Sequence, residues 1–443
     1  MSVASTLIDN FSPLKIRNFR IYLGGQAISL IGTWLQVTAL SWVVWELTHS
    51  ELALGIVQML SLLPLFLLAP WVGVWADRLD RRKLLIFTQV GMMLLAFILA
   101  ALVLSESIRI WHIYTLSLLL GVFTALDLPT QQTFMGDLAG GGGEIRRAIN
   151  LNVTIVQISR ILGPAVAGII VALLGAGMAF FINGLSFIAV IISLLLVRAT
   201  QIMSKPKHGS TVLGGIREAV AFLRNEPRLL DCVAFASFAT FFGIAIVLNV
   251  LPAFADHVLG GDAKTLGLLM SSSGAGALVG ITVFAPLAQA QKRIGMMMAF
   301  AGIGAGSAFA LLAMTNLLWV AMLGLFAAGL AMPTLLSTTM GLLQVSAPPM
   351  MRGRVISLYT MVSFGLQPLA ALWIGAMAEW LGVRTAIEIN AVSLVLVSVW
   401  MLSRTPLRQW DGLAGVLLTE SQFAASSQPT PTDDPQPMVE GAR

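Results

Sequence analysis

The chain reads as long apolar runs separated by short breaks that carry charge, glycine or proline. A bilayer-crossing α-helix needs roughly 20 such residues at about 1.5 Å rise each. Twelve runs are long enough, at about 20–46, 51–76, 84–104, 110–136, 149–174, 178–198, 230–254, 265–289, 294–314, 317–343, 355–379 and 384–403. The pattern predicts an all-α membrane protein with twelve transmembrane helices. An even count places both termini on one side.

Composition and charge sharpen this picture. Only 11% of the 443 residues are charged, against about 25% in a soluble domain, and 57% are hydrophobic. A large soluble enzyme is excluded. One set of breaks holds Lys15, Arg17, Arg20, the cluster Arg78, Arg81, Arg82 and Lys83, and further basic residues at Arg146, Arg147, Lys205, Lys207, Lys292, Arg293, Arg352 and Arg354. The opposite breaks hold only Arg109, Lys264 and Arg384, while Arg160 falls inside a run. The positive-inside rule then puts both termini in the cytoplasm. The first run is too long for a cleavable signal and is expected to stay as an anchor.

The longest internal break, 199–229, divides the runs six and six. The expected organisation is a cytoplasmic N-terminus (1–19), a six-helix bundle (20–198), a cytoplasmic linker (199–229), a second bundle (230–404) and a cytoplasmic tail (405–443). From about Asp411 the tail is rich in Pro, Gln, Ser and Asp and reads as disordered. Other chemistry has little support. Cys232 is a lone cysteine, and the histidines are scattered without metal-ligand spacing. No Gly-x-x-x-x-Gly-Lys loop and no nucleophile–base set is present. Neither catalytic residues, cofactor nor metal is expected, and the basic residues follow the membrane face rather than a nucleic-acid patch.

The two halves repeat. Leu174-Gly-Ala-Gly-Met-Ala-Phe-Phe-Ile-Asn-Gly-Leu-Ser aligns with Leu381-Gly-Val-Arg-Thr-Ala-Ile-Glu-Ile-Asn-Ala-Val-Ser, pairing Gly175 with Gly382, Asn183 with Asn390 and Ser186 with Ser393. Upstream, Gly163-Pro164 pairs with Gln367-Pro368, and near the second run of each half Gly55 pairs with Gly267 and Arg81 with Arg293. Parallel duplicated halves around a mid-bilayer site are the architecture of alternating-access transporters. Duplication that only builds a stable bundle is the plainer alternative.

Between the second and third runs lies Gly73-Val-Trp-Ala-Asp77-Arg78-Leu-Asp80-Arg81-Arg82-Lys83. Gly73 permits close helix approach, and Asp77 at a helix end among basic side chains can form a charge-assisted latch. Simple topogenic charge would explain the Arg and Lys residues but neither Gly73 nor Asp77. The segment resembles the loop 2–3 signature of the major facilitator superfamily, with Asp80 where that family commonly has Gly. Asn18-Phe-Arg-Ile-Tyr-Leu-Gly-Gly-Gln26, Trp42-Val-Val-Trp-Glu46-Leu-Thr48, Asp127-x-Pro129 and Arg352-Gly-Arg354-Val-Ile-Ser-Leu-Tyr359 look like the branch of enterobactin-exporter and macrolide-efflux proteins.

The resemblance covers about residues 12–405. It implies proton-driven export of an organic solute across the bacterial inner membrane, with Gly73, Asp77, Arg78, Arg81 and Arg82 as a cytoplasmic gate. Arg160-Ile-Leu-Gly163-Pro164-Ala-Val-Ala-Gly168 is similar to the glycine–proline helix-kink motif of antiporters; a generic kink is the other reading. The arginine that many drug/proton antiporters carry four residues before a span-four glycine is absent, since Ser117 precedes Gly121 at that distance.

Asp127 and Arg160 are the two deeply placed charges, both about 15–17 Å from the cytoplasmic ends of their runs. They are expected to meet there, either as a coupling pair or as a structural one. Polar stripes at helical spacing suit the wall of a substrate cavity: Gln26, Ser29, Thr33 and Gln36 on the first run, Thr124, Asp127 and Gln131 on the fourth, and Asn150, Thr154 and Gln157 on the fifth. Ser357, Thr360, Phe364 and Gln367 on the eleventh, with Gln58, Phe241 and Tyr359, extend the expected lining. Interhelical hydrogen bonding is the alternative for each polar member. The expectation is a monomeric secondary exporter of an amphipathic drug or siderophore, exchanging it for protons. A lysolipid flippase of the same fold and a non-transporting membrane sensor are the rival readings.

Overall fold

The computed structural model describes residues 12–78, 80–139, 143–197, 212–289, 293–348 and 351–403. Its twelve membrane-length helices are α1 (Arg17–Thr48), α2 (Glu51–Arg78), α3 (Arg81–Leu104), α4 (Ile110–Leu138), α5 (Gly143–Leu174) and α6 (Ala176–Leu196), followed by α7 (Pro227–Val258), α8 (Ala263–Gln289), α9 (Ile294–Met314), α10 (Leu318–Ser346), α11 (Arg352–Leu381) and α12 (Val383–Ser403). Each predicted run is one of these helices, with ends displaced by a few residues. The tail, 405–443, including the part from about Asp411 expected to be disordered, lies outside the described residues.

One helix was not anticipated: the break between the halves contains a helix at Val212–Asn225. It is too short to cross a bilayer. Ala219 and Leu223 are buried on one face, while Arg217, Glu218 and Arg224 are exposed on the other. Glu218 pairs with Arg354 at the start of α11.

The halves pack alike. In the first, α1 lies on α5 and α6, α3 on α4 and α6, and α2 on α4; in the second, α7 lies on α11 and α12, α9 on α10 and α12, and α8 on α10. The repeated residues explain part of this likeness. Gly175 (φ 81°) and Gly382 (φ 85°) join α5 to α6 and α11 to α12 in a conformation that only glycine adopts without cost. Asn183 Nδ2 donates to Gln36 Oε1 at 2.6 Å, binding α6 to α1 where Gly32 leaves room for Asn183 and Ser186. Its counterpart Asn390 instead donates to the Ala386 carbonyl of its own helix, at 2.8 Å.

Two aspartates start helices. Asp80 Oδ1 accepts the N–H groups of Arg82 (3.0 Å) and Lys83 (3.3 Å), so the residue that departs from the family signature is the N-cap of α3. Asp262 Oδ1 caps α8 by accepting from Thr265 N (3.0 Å) and Thr265 Oγ1 (3.2 Å). The bond from the Thr265 backbone, ahead of the other contacts, holds its carboxyl below the usual carboxylate range.

Asp80→Ala and Asp262→Ala are each expected to cost about 1 kcal/mol of stability, and Asp80→Gly only a few tenths, read as shifts in the unfolding midpoint. Because the folded carboxyl of Asp262 is the stronger acid, its contribution is complete above the unfolded value of about 3.9 and is lost as pH falls through the folded value. An unfolding midpoint whose acid dependence is the same in Asp262→Ala and wild type would contradict this.

Candidate functional site

Two helix pairs carry the contact between the bundles: α5 against α8, and α2 against α11. The internal repeat maps one pair onto the other. Each crossing is built on glycine. A Cβ on Gly267 would run into the Pro164 carbonyl and stand 3.1 Å from Gly168 Cα; one on Gly55 would stand 2.5 Å from the Ala371 carbonyl and 3.5 Å from Gly375 Cα. Gly168 and Gly375 are limited in the same way by Ala263 and Glu51 carbonyls, at 2.9 and 2.7 Å.

This gives the helix-kink residues distinct roles. Gly163 makes space for Trp34 of α1, and Gly168 for α8. Pro164 sits inside an unbroken α5. Lacking an N–H, it leaves the Arg160 carbonyl without its helical partner, and this carbonyl lies beside Gly274 of α8. Ser271 Oγ of α8 donates to the neighbouring Ile161 carbonyl at 2.7 Å. The counterpart Pro368 differs, because α11 is interrupted at Leu366.

Further bonds join the bundles on the face away from the basic loops, here called the far face. Trp45 Nε1 donates to Asp256 Oδ2 (2.9 Å), and Glu379 Oε2 accepts from Ser50 Oγ (2.8 Å) and Leu52 N (3.2 Å). The Trp45 ring stands edge-on between His49 and His257, with centroids 5.4 and 4.8 Å away. At the basic face, Arg81 pairs with Asp137 of α4 (2.6 Å) and Arg82 Nη2 donates to the Leu195 carbonyl (2.7 Å) at the end of α6, where the helix dipole favours a cation. Both bonds stay inside the first bundle. Among the described residues the cross-bundle hydrogen bonds lie at mid-depth and toward the far face, so the molecule is closed there. Gly73, Asp77 and Arg78 of the expected gate belong to positions whose side chains lie outside the described residues.

Asp127 and Arg160 do not meet. Asp127 is 6% exposed, and its Oδ1 accepts from Thr88 Oγ1 (2.6 Å) and Gln89 Nε2 (3.0 Å), both on α3. The Arg160 guanidinium lies 5.5 Å from the ring centroid of Trp34 on α1, a cation–π contact. Equal depth fixes height but not direction: α4 turns Asp127 toward α3, and α5 turns Arg160 toward α1. Tyr22 of α1 completes the surroundings of Asp127, with its hydroxyl facing Gln131.

The expected cavity residues separate into two groups. Gln36 is consumed by Asn183, Thr33 by the Ser29 carbonyl of its own helix (3.0 Å), and the buried Tyr359 hydroxyl points at the Leu336 carbonyl (3.4 Å). Gln36 and Tyr359 are thus packing residues, because the stripes they belong to face a neighbouring helix. Phe241 packs against Phe242 and Trp373, whereas Phe364 is exposed. Gln26 Oε1 and Gln157 Nε2 are buried without partners, and Gln58 and Gln367 border a small void together with Asn249. Sequence reasoning missed Trp45, Asp256, Glu379 and Asn249. Charged or polar residues near run ends are ordinary, and only the fold shows that Trp45, Asp256 and Glu379 bond across the interface while Asn249 is buried at it.

Gly55→Val and Gly267→Val are expected to force the bundles apart at the far face, since the added atoms meet backbone that cannot rotate away. The check is the distance between spin labels on the α1–α2 and α7–α8 turns; a distribution identical to wild type would show that these crossings do not set closure. Glu379→Gln and Trp45→Phe are expected to broaden the same distribution without abolishing the closed population.

The family model described as transmembrane secretion effector matches residues 8–426. The staphyloferrin A transporter of Staphylococcus aureus is 26% identical over 397 residues, covering 86% of this chain and 94% of that protein. The enterobactin exporter of Shigella flexneri is 25% identical over 399 residues, covering 89% and 93%. In fold, the chain is similar to the crystal structure of the nucleoside transporter NupG, with a TM-score of 0.68, 14% identity and coverage of 87% of this chain and 98% of that one. These matches make the protein an integral inner-membrane transporter rather than an enzyme: the chain belongs to the transmembrane secretion effector family of major facilitator transporters.

Proposed function

We propose that this transporter exports an amphipathic organic molecule, a siderophore or a drug, in exchange for protons, with the basic face in the cytoplasm. The observation that carries the reading is the pair of repeat-related glycine crossings, which bring the bundles together at two equivalent places about which they can turn. The kinship with siderophore and drug exporters supports the substrate class. Asp127 is the proton-coupling acid in this reading. It is buried at mid-membrane, its oxygen is hydrogen-bonded by two neutral donors, and no cation neutralises it among the described residues. Arg160, held over Trp34 beside the α5–α8 crossing, modulates the coupling by linking charge to bundle separation. The protein acts as a monomer, and Arg81 and Arg82 exchange their partners when the basic face closes.

A lysolipid-flippase reading draws on one feature. A cavity of about 380 Å³ between the Val212–Asn225 helix, α7 and α11 is walled by apolar side chains including Val220, Leu223, Val233, Phe238 and Leu358, and it lies in the volume range of small-molecule sites.

The deciding experiment is flux in proteoliposomes under an imposed proton gradient, with a panel of staphyloferrin A, enterobactin, erythromycin and a lysophospholipid. Gradient-driven movement of a siderophore or the macrolide is expected, and movement of the lysolipid alone would favour the flippase. Asp127→Asn is expected to abolish gradient-driven accumulation while leaving downhill exchange intact. Full gradient-driven transport by the folded variant would remove Asp127 from coupling.

A further inference from the structure

One turn from the Gly55–Gly375 crossing, three carboxamides from both bundles meet. Gln58 comes from α2, Gln367 from α11 and Asn249 from α7, and together they border a void of about 10 Å³. That volume is near the lower limit for a single water-sized group. No charged residue lines it; the remaining wall is Leu62, Ile244, Ala245, Leu248 and Ala370.

The backbone of α7 is irregular around this point. π-Helical turns occupy Thr240–Ile244, Ile246–Val250 and Phe254–Val258. Such turns insert a residue into the helical ladder and recur at functional sites. Pro252 in addition cannot donate to the Leu248 carbonyl. Asn249 sits in the middle of this stretch, 2% exposed. Its Nδ2 donates to the Ala245 carbonyl at 2.8 Å, which leaves Oδ1 buried with no partner. An orphaned buried acceptor carries the desolvation cost of a missing hydrogen bond, a cost that a bound donor would remove. Among the described residues the side-chain amides of Gln58 and Gln367 make no hydrogen bond to another protein group, so they are also available.

We propose that Gln58, Asn249 and Gln367 form a neutral recognition site that binds a hydroxyl or amide N–H group of the transported molecule. The proposal rests on the exporter reading and names the chemistry that this point between the bundles selects. A hydroxyl satisfies the site in one step, donating to Asn249 Oδ1 and accepting from a glutamine amide. A charged group would shed its hydration with no counter-charge in return, so the site discriminates against ionised groups at this point of the ligand. Because Gln58 belongs to the first bundle and its two partners to the second, a bound group bridges them and favours the closed far face. A turn of the bundles about the crossings that opens the far face parts the amides and lets the group go toward that face.

The test compares erythromycin with its fully O-methylated derivative, which keeps the scaffold and loses the hydroxyl protons. Binding to the full chain in lipid nanodiscs is followed by quenching of intrinsic tryptophan fluorescence, for wild type, Asn249→Leu and Gln367→Met. Wild type is expected to prefer erythromycin by about tenfold, the worth of one or two neutral hydrogen bonds. Each variant is expected to erase that preference without weakening the methylated probe. Two variants on different helices guard against one failing to fold. A preference of the same size in the folded variants, or none in wild type, overturns the site and leaves the exporter reading standing. A wild type that moves no member of the flux panel refutes the exporter reading and this site together.

Discussion

Two helical bundles in lipid have no hydrophobic force drawing them together, since lipid tails are as apolar as leucine. Contact has to come from close backbone approach and from hydrogen bonds that water does not contest. In this protein both arise at the glycine crossings. Gly55 meets Gly375 and Gly168 meets Gly267. At the second of these, the Arg160 carbonyl left free by Pro164 lies beside Gly274 of the opposite bundle, and the neighbouring Ile161 carbonyl accepts from Ser271. The position of everything else between the bundles follows from these two places, including the Trp45–Asp256 and Ser50–Glu379 bonds beyond them and the amide-lined void beneath one of them.

The polar side chains at depth obey a second constraint, that a buried donor or acceptor needs a partner. Asp127 meets it with Thr88 and Gln89, and Gln36 with Asn183. Arg160 uses an aromatic face, which lets a cation stay near mid-membrane without a carboxylate. Among the described residues, Gln26, Gln89, Gln157, Asn249 and Asn390 fail the rule, each keeping one buried atom without a partner.

How much of this could be read from the chain depends on whether the property is one-dimensional. Apolar run length alone predicts the twelve spans, and the repeat of Gly175 with Gly382 survives because the same left-handed turn is needed twice. The Val212–Asn225 helix escaped because fourteen amphipathic residues leave no long apolar run. Rise per residue gives depth but not rotation, so Asp127 and Arg160 were matched in height and wrongly paired. The Trp45–Asp256 bond joins residues 211 positions apart, which no local pattern records. Asp80 shows the opposite case: an odd residue in a familiar signature was legible as a departure, and only the geometry identifies it as a helix cap.

The two crossings also have a mechanical consequence. Bodies that touch at two points keep a single easy degree of freedom, a turn about the line through those points. Here that line runs through Gly55–Gly375 and Gly168–Gly267, and the duplication of the chain places its two bearings in equivalent surroundings. The Trp45–Asp256 and Ser50–Glu379 bonds lie off this line, so they act with leverage, as a clasp set away from its hinge. The absence of a side chain at four positions is what lets the two bundles meet closely enough to share that line.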